Sequence, residues 1–291
     1  MTRFAWVLNL DAELELARLP FEYVPRQKLL RQLAEHGQGS RALLGAGDVL
    51  VTPALRLPGP GFVGRAWCPT PRAREQLAAH GIQAEPHPEP SLLRRVNHRL
   101  FAHELGGGLP EQQYFSEREP LAALLRRAER PWLLKRPLAF AGRGQMRFYG
   151  PITDKQWSWL DVSLAQDGLI VEPLVTPTLE LSLHGFVWRD RRFELGRACV
   201  QEVTERGVFR GVRLARPGEL SDPEQVAVSA SGEGVARRLA SVGYFGPFGL
   251  DAYRYELAGE PGFCALGEIN ARYTMGFSVG FPRHPSELVL T

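Results

Sequence analysis

The chain has 291 residues, of which 44% are apolar and 23% charged, the composition of ordinary soluble globular material with room for one large domain or two to three small ones. Its formal net charge of +3 comes from basic and acidic residues interleaved along the chain, which gives no support to a nucleic-acid partner. Cys68, Cys199 and Cys264 are far apart and lack metal-ligand spacing, so buried thiols in a reducing compartment are expected instead of disulfides. The apolar run at 3–8 meets Asn9 and Asp11 too soon for a signal-peptide core, and no run approaches a membrane span. A cytoplasmic protein without a membrane partner is the expectation.

Short apolar runs at 4–8 and 49–52 enclose a stretch at 26–36 with helical spacing that ends at Gly37, which predicts a small α/β unit over 1–88. The segment Glu85-Pro86-His87-Pro88-Glu89-Pro90 can continue neither a helix nor a central strand, and a boundary is placed there. Ser91 is a plausible N-cap for a single helix that carries Leu92, Leu93, Val96, Leu100 and Leu105 and ends at Gly106. A helix over 120–130 then precedes the strand Trp132-Leu133-Leu134-Lys135. A loop containing Gly142, Arg143 and Gly144 leads into a second strand at 145–149, and a helical stretch follows at 155–165. Leu169-Ile170-Val171 reads as a buried strand running into Glu172-Pro173-Leu174-Val175. Two alternating runs over 180–204 flank a charged turn at 189–192.

Only Lys28, Lys135 and Lys155 are lysines; the other basic residues are arginine. A strand ending in Lys135, a glycine-containing loop with Arg143 and a returning strand suit a flexible hairpin laid over phosphates, because glycine lets backbone N–H groups approach phosphate oxygens. A surface hairpin with two exposed cations fits the same residues. The 169–175 segment suits a purine-binding hinge, with backbone groups meeting the adenine edge, or simply a strand entering a turn. His98, His103 and His184 read as satisfied or exposed imidazoles.

Gly267-Glu268-Ile269-Asn270-Ala271-Arg272 is the most informative segment. In a strand Glu268, Asn270 and Arg272 share a face, placing two oxygen donors beside a fixed cation. The polar, glycine-containing stretch 255–262 predicts a turn, and a hairpin centred between Gly259 and Glu260 sets Asp251 opposite Glu268. Facing carboxylates repel unless a cation or proton lies between them, and hard oxygen donors of this kind suit Mg²⁺. A hairpin with solvated acids is the plainer reading.

The order of these elements, together with Gly243-Tyr244-Phe245-Gly246-Pro247-Phe248-Gly249-Leu250-Asp251 and the segment Glu268 to Gly276, resembles the ATP-grasp superfamily over about residues 91–280. The resemblance implies an α+β fold in which two subdomains, 91–175 and 176–291, clasp nucleotide behind a small N-terminal α/β domain. It implies ATP and Mg²⁺ as cofactors, with Asp251, Glu268 and Asn270 as metal ligands. Lys135 and the loop through Gly142, Arg143 and Gly144 would meet the phosphates, Glu172, Pro173, Leu174 and Val175 the adenine, and Glu180 the ribose. Arg272 would face the γ-phosphate or an acyl phosphate. Apart from the resemblance, Arg206, Arg210 and Arg213 follow the alternating run and suit binding of an anionic acceptor or a phosphate. Where much of the superfamily carries a lysine in an Asn-Asp-Lys-like stretch, this chain has Val96-Asn97-His98-Arg99, so Arg99 would replace that charge with a different reach.

The activity implied is that of an ADP-forming carboxylate-amine ligase. It would join a small-molecule or peptide carboxylate to a nucleophile through an acyl phosphate, and a homodimer is compatible with it. A kinase acting on a small-molecule acceptor and a nucleotide-binding regulatory protein with a decayed cycle are the alternatives.

Overall fold

The computed structural model describes residues 2–57, 59–139, 144–203, 209–288 and 290. The chain opens with β1 (Arg3–Val7), α1 (Ala12–Leu16) and α2 (Gln27–His36), followed by β2 (Val49–Leu50), β3 (Phe62–Ala66) and α3 (Pro71–Ala79). The three strands form a parallel sheet in the order β2-β1-β3. After the exposed Arg3 the central strand is apolar and buried from Phe4 to Val7, because both of its faces are covered. Phe4 and Trp6 pack into the main core of the molecule, whereas Ala5 and Val7 pack with Ala73, Leu77 and Ile82. Gly64 is needed here, since a Cβ would lie 2.8 Å from Leu77.

The proline-rich stretch after residue 84 is bound to this sheet. Ala84 bridges Gly64, and Glu85 takes two hydrogen bonds from the buried Arg65, at 2.7 and 2.6 Å. The Arg65 guanidinium lies 3.6 Å from the Phe4 ring centroid and also donates to Pro285 O and Leu288 O. One arginine thus ties the C-terminal segment to the N-terminal sheet.

The single helix expected over 91–105 is two helices, α4 (Pro90–Val96) and α5 (Arg99–Glu104). The break has a cause: Asn97 turns its side chain back to Leu93 O (2.9 Å), and His98 caps α5 by accepting from Leu100 N. Pro90 at the first turn places the N-cap at Glu89 instead of Ser91. Leu93, Val96, Phe101 and Ala102 join the main core, so these helices pack with the C-terminal sheet.

The second sheet follows, with β4 (Gln113–Phe115), α6 (Arg118–Arg126), β5 (Trp132–Lys135), β6 (Gln145–Phe148), α7 (Asp154–Gln166) and β7 (Leu169–Pro173). It is antiparallel in the order β4-β7-β5-β6. Trp132, Leu134, Phe148 and Val171 on one face pack against Leu121, Leu125 and Leu160 of the helices. That leaves Leu133, Lys135, Ile170 and Glu172 on the other face.

The third sheet contains β8 (Thr176–Val187), β9 (Phe193–Leu195), β10 (Cys199–Val203) and β11 (Phe209–Leu214), then β12 (Gly246–Leu257) and β13 (Glu260–Asn270) after the long helix α8 (Asp222–Ser241). Its order is β11-β10-β8-β12-β13, with β9 paired to β8 across the charged turn foreseen at 189–192. Leu181, Leu183 and Ala252 face α8, whose Gly232 brings the helix close: a Cβ there would lie 2.5 Å from Leu183. A short turn of helix, α9 (Phe277–Gly280), covers part of the opposite face. All three cysteines are buried and free. Among the described residues no helix is long and apolar enough to cross a membrane.

The β12–β13 hairpin corrects one step of the sequence argument. Leu257 pairs with Glu260, so the turn is Ala258-Gly259, both with positive φ, one residue earlier than expected. Continued without interruption, that register would set Asp251 opposite Leu266. A bulge between Asp251 and Tyr253 shifts the register by two, and Asp251 pairs with Glu268 after all.

Asn97 fixes the chain immediately beyond this pair. Its Oδ1 accepts from Ala271 N at 2.9 Å and its Nδ2 donates to Ala271 O at 3.3 Å, all within the buried core. Asn97→Ala strands both backbone groups without a partner, so a loss of about 2–4 kcal/mol is expected. Urea denaturation of the two proteins checks this, and a loss below ~0.5 kcal/mol would show that Asn97 is dispensable.

Candidate functional site

Antiparallel registry places the acidic groups of the third sheet on one face. Ser182 of β8, Asp251 of β12 and Glu268 of β13 are consecutive partners across three strands, and Asn270 stands opposite Gly249 on the same face. Asp251 Oδ1 accepts from Gln201 Nε2 at 3.0 Å, and Oδ2 accepts from Asn270 Nδ2 at 3.1 Å. Even with these donors the Asp251 carboxyl is pushed up to about 7, first by burial and then by the Glu268 charge opposite it. Glu268 Oε2 accepts from Arg99 at 2.9 Å. Arg99 also donates to Arg136 O at 2.6 Å, at the end of the strand that carries Lys135.

Asn270 connects this centre to the N-terminal unit. Its Oδ1 accepts from Arg272 at 2.9 Å, and Arg272 is ion-paired with Glu13 of α1. The Arg272 side chain is only 12% exposed, so its charge is committed to Asn270 and Glu13 instead of standing open to a phosphate. Nothing in the sequence pointed to Glu13, because 259 positions separate it from its partner. Gln201 reaches the same face because it shares parity with Cys199, whose register partner is Ser182.

The second sheet contributes Lys135 and Glu172, which form an ion pair with the Glu172 carboxylate almost wholly buried. Burial, and after it the nearby Glu172 charge, raise the Tyr253 phenol pKa, so Glu172 of the second sheet lies close to Tyr253 on the site face of the third. Beyond Pro173, Leu174 N–H is spent on Pro131 O at 3.0 Å, and Val175 leads into β8. Glu180, the register partner of Tyr253, lies on the same face as Ser182, and burial raises its carboxyl pKa. Gly144 holds the start of β6 with φ +68°, where a Cβ would lie 2.9 Å from Ala139. Gly142 and Arg143 lie outside the described residues.

Arg213 is not brought into this group. It pairs with Val200, and Val200 with Leu181, so it stands on the α8 side of the sheet, where Glu219 takes two bonds from it at 2.7 Å. An odd-numbered position on β11 is one residue out of phase with the site face. His184 does lie on that face, but as a structural group. Its Nδ1 meets Thr274 Oγ1 at 3.0 Å and its Nε2 meets Ser182 Oγ at 3.2 Å, and burial lowers its pKa to about 4. Gly249, Gly276 and Gly280 leave room for the ring.

The donor set fits a hard divalent cation. Among the described residues no three His, Cys, Asp or Glu side chains converge, so an ion here would rest on two carboxylates and an amide, completed by phosphate oxygens and water. The Glu268 charge, which after burial raises Asp251, is what such an ion would offset.

Searched by sequence, the chain matches no family model and no curated protein. Solved structures do match it. N5-carboxyaminoimidazole ribonucleotide synthetase from Thermus thermophilus is 20% identical, over 93% of this chain and 72% of that one, with a TM-score of 0.51. The ATP complex of carboxyaminoimidazole ribonucleotide synthase from Aspergillus clavatus is 15% identical, over 100% and 78%, with a TM-score of 0.55. D-alanyl-alanine synthetase A from Vibrio cholerae is 11% identical, over 99% and 94%, with a TM-score of 0.56. With a small parallel N-terminal sheet and two antiparallel sheets aligned along nearly its whole length to these enzymes, the chain has the ATP-grasp fold.

Proposed function

We propose that the protein is an ATP- and Mg²⁺-dependent ligase that activates a carboxylate as its acyl phosphate and passes the acyl group to an amine or other nucleophile. The observation that carries this reading is the in-register pair Asp251 and Glu268, tied through Arg99 to the end of the strand that holds Lys135. Two enzymes of this fold that match the chain are a synthetase and a synthase, the second with ATP bound, which supports the same reading.

In this reading Asp251, Glu268 and the Asn270 amide hold the metal. Mg²⁺, when bound, would neutralise phosphate charge and polarise the P–O bond to be broken. Glu172 holds the Lys135 ammonium in place for the α- and β-phosphates, and Gly144 meets the β- and γ-phosphates. Pro173 O and Val175 N–H meet the adenine edge, and Glu180 accepts from the ribose hydroxyls. Arg99 lies at the phosphate end, between Glu268 and the Lys135 strand. Arg272 acts through others: paired with Glu13, it aims the Asn270 amide and keeps the N-terminal unit against the site.

The chemistry balances without a covalent enzyme nucleophile. A substrate carboxylate oxygen attacks the γ-phosphorus, forming the acyl phosphate O–P bond, and the β,γ-bridging bond breaks with its electron pair leaving on ADP. The amine then attacks the acyl carbon, phosphate departs with the C–O pair, and the amine proton passes to water. The chain's contribution is positioning and charge neutralisation in a cleft shielded from bulk solvent.

Glu268→Gln is expected to lower ADP formation by about 100-fold or more while leaving nucleotide binding measurable. Steady-state turnover with a carboxylate and amine panel, alongside calorimetric titration with ADP, checks it. A stable phosphorylated acceptor without amide formation would move the assignment to a kinase. Arg213→Ala, on the far face, is expected to change turnover by less than about twofold; a large loss would return Arg213 to the site.

The raised Asp251 pKa also sets a pH dependence. The folded state holds this proton to higher pH than the unfolded state, whose carboxyl titrates near 3.8, so Asp251 costs nothing at low pH. Stability therefore falls as pH rises from about 4 to about 7 and levels beyond, and MgADP reduces the fall. Urea denaturation at about pH 5 and about pH 8, with and without MgADP, measures it. An Asp251→Asn protein with the same pH slope as the parent would refute the assignment.

A further inference from the structure

A cavity of about 630 Å³ lies between the N-terminal unit and the second sheet, a size typical of small-molecule sites. Its lining is chemically two-sided. Leu14, Ala17 and Leu29 face it from the N-terminal unit, and Pro137 and Leu138 from the segment after β5, so part of its wall is apolar. Val24 on the rim is 73% exposed, and neighbouring Phe21 is 76% exposed, more apolar surface than a loop needs to show water. Three arginines, Arg18, Arg26 and Arg136, also line it, against the carboxylates of Glu22 and Asp167. Asp167 is already paired with Arg94, which leaves an excess of positive charge.

Arg136 is the best placed of the three. Its Nε donates to Ser163 Oγ at 2.9 Å and its guanidinium lies 5.0 Å from the Trp159 ring centroid, so the group is held in orientation. Among the described residues no carboxylate pairs with it. A planar, oriented, half-buried guanidinium of this kind suits bidentate binding of a carboxylate. Its backbone carbonyl accepts from Arg99, whose other nitrogen reaches Glu268, so the cavity is only two contacts from the acidic centre.

We infer that this cavity binds an organic acid with an apolar body, its carboxylate on Arg136 and its body against Leu14, Ala17 and Leu29. Its role as the site of the carboxylate to be activated rests on the ligase reading; the binding site itself does not. Titrating the full chain with 3-phenylpropionate and with the charge-reversed analogue 3-phenylpropylamine tests it. The acid is expected to bind at least about tenfold more tightly than the amine. Arg136→Met is expected to weaken the acid about tenfold, and Ala17→Trp, which fills the wall, to remove its binding heat, with thermal melts showing that both variants fold. Equal binding of acid and amine, no binding of the acid, or an acid affinity unchanged in both folded variants overturns the inference. A separate titration of the parent chain with MgADP keeps the two ideas apart. Acid binding without MgADP binding keeps the cavity and removes the ligase reading, and MgADP binding without acid binding does the reverse.

Discussion

Two carboxylates facing each other across one antiparallel pair set the terms for the rest of this molecule. At the separation of opposed strand residues, Asp251 and Glu268 cannot both ionise without cost, and burial raises that cost because water no longer screens them. The surroundings respond on each side. Gln201 and Asn270 donate to Asp251, Arg99 supplies a cation to Glu268, and Arg272 stands behind Asn270. What remains uncompensated appears in the Asp251 carboxyl, held protonated well above its usual range. Replacing either acid alone with an apolar residue would strand the donors that now meet it, Gln201 and Asn270 at Asp251 and Arg99 at Glu268, so the pair and its surroundings stand as one unit.

Holding that pair in place requires ties between parts of the chain that are distant in sequence. Asn97 pins both backbone groups of Ala271, Arg272 reaches Glu13, and Arg65 gathers Glu85 and two carbonyls of the C-terminal segment while lying on Phe4. Each is a buried polar group with several partners, the type of contact that costs most to break and so fixes one arrangement. The N-terminal sheet is therefore part of the site's support, since the charge that orients Asn270 is balanced from α1.

The legible parts of this structure were those set by local pattern. Alternation in the 180–204 region gave the charged hairpin, and Lys135 and Asp251 fell on strands as the apolar runs implied. Parity failed where a strand's phase could not be known. Arg213 and Arg210 sit in the same arginine-bearing run, and only the pairing of Val200 with Leu181 shows that Arg213 faces α8. The Asp251–Glu268 pair was obtained from a hairpin placed one residue late, an error that the unforeseen bulge cancelled. Helix α8 was missed because its sequence, rich in Ala, Ser and Gly, has little amphipathic contrast. Its signal lay at the start, in the Ser221 and Glu224 capping box. Glu13, Gln201 and Arg136 entered only through three-dimensional contact.

Arg99 shows how a departure from a family pattern is absorbed. A lysine at this position would bring one compact charge, able to meet either the Glu268 carboxylate or the Arg136 carbonyl. The guanidinium spans more: one nitrogen holds Arg136 O at the end of the Lys135 strand while another holds Glu268, so a single side chain joins the two sheets across the cleft. Its planar fork makes both contacts without the rotamer freedom a lysine would have to lose. The substitution therefore changes what the residue does as well as its reach. Glu268 is partly neutralised by a bridge that ties the third sheet to the end of the Lys135 strand.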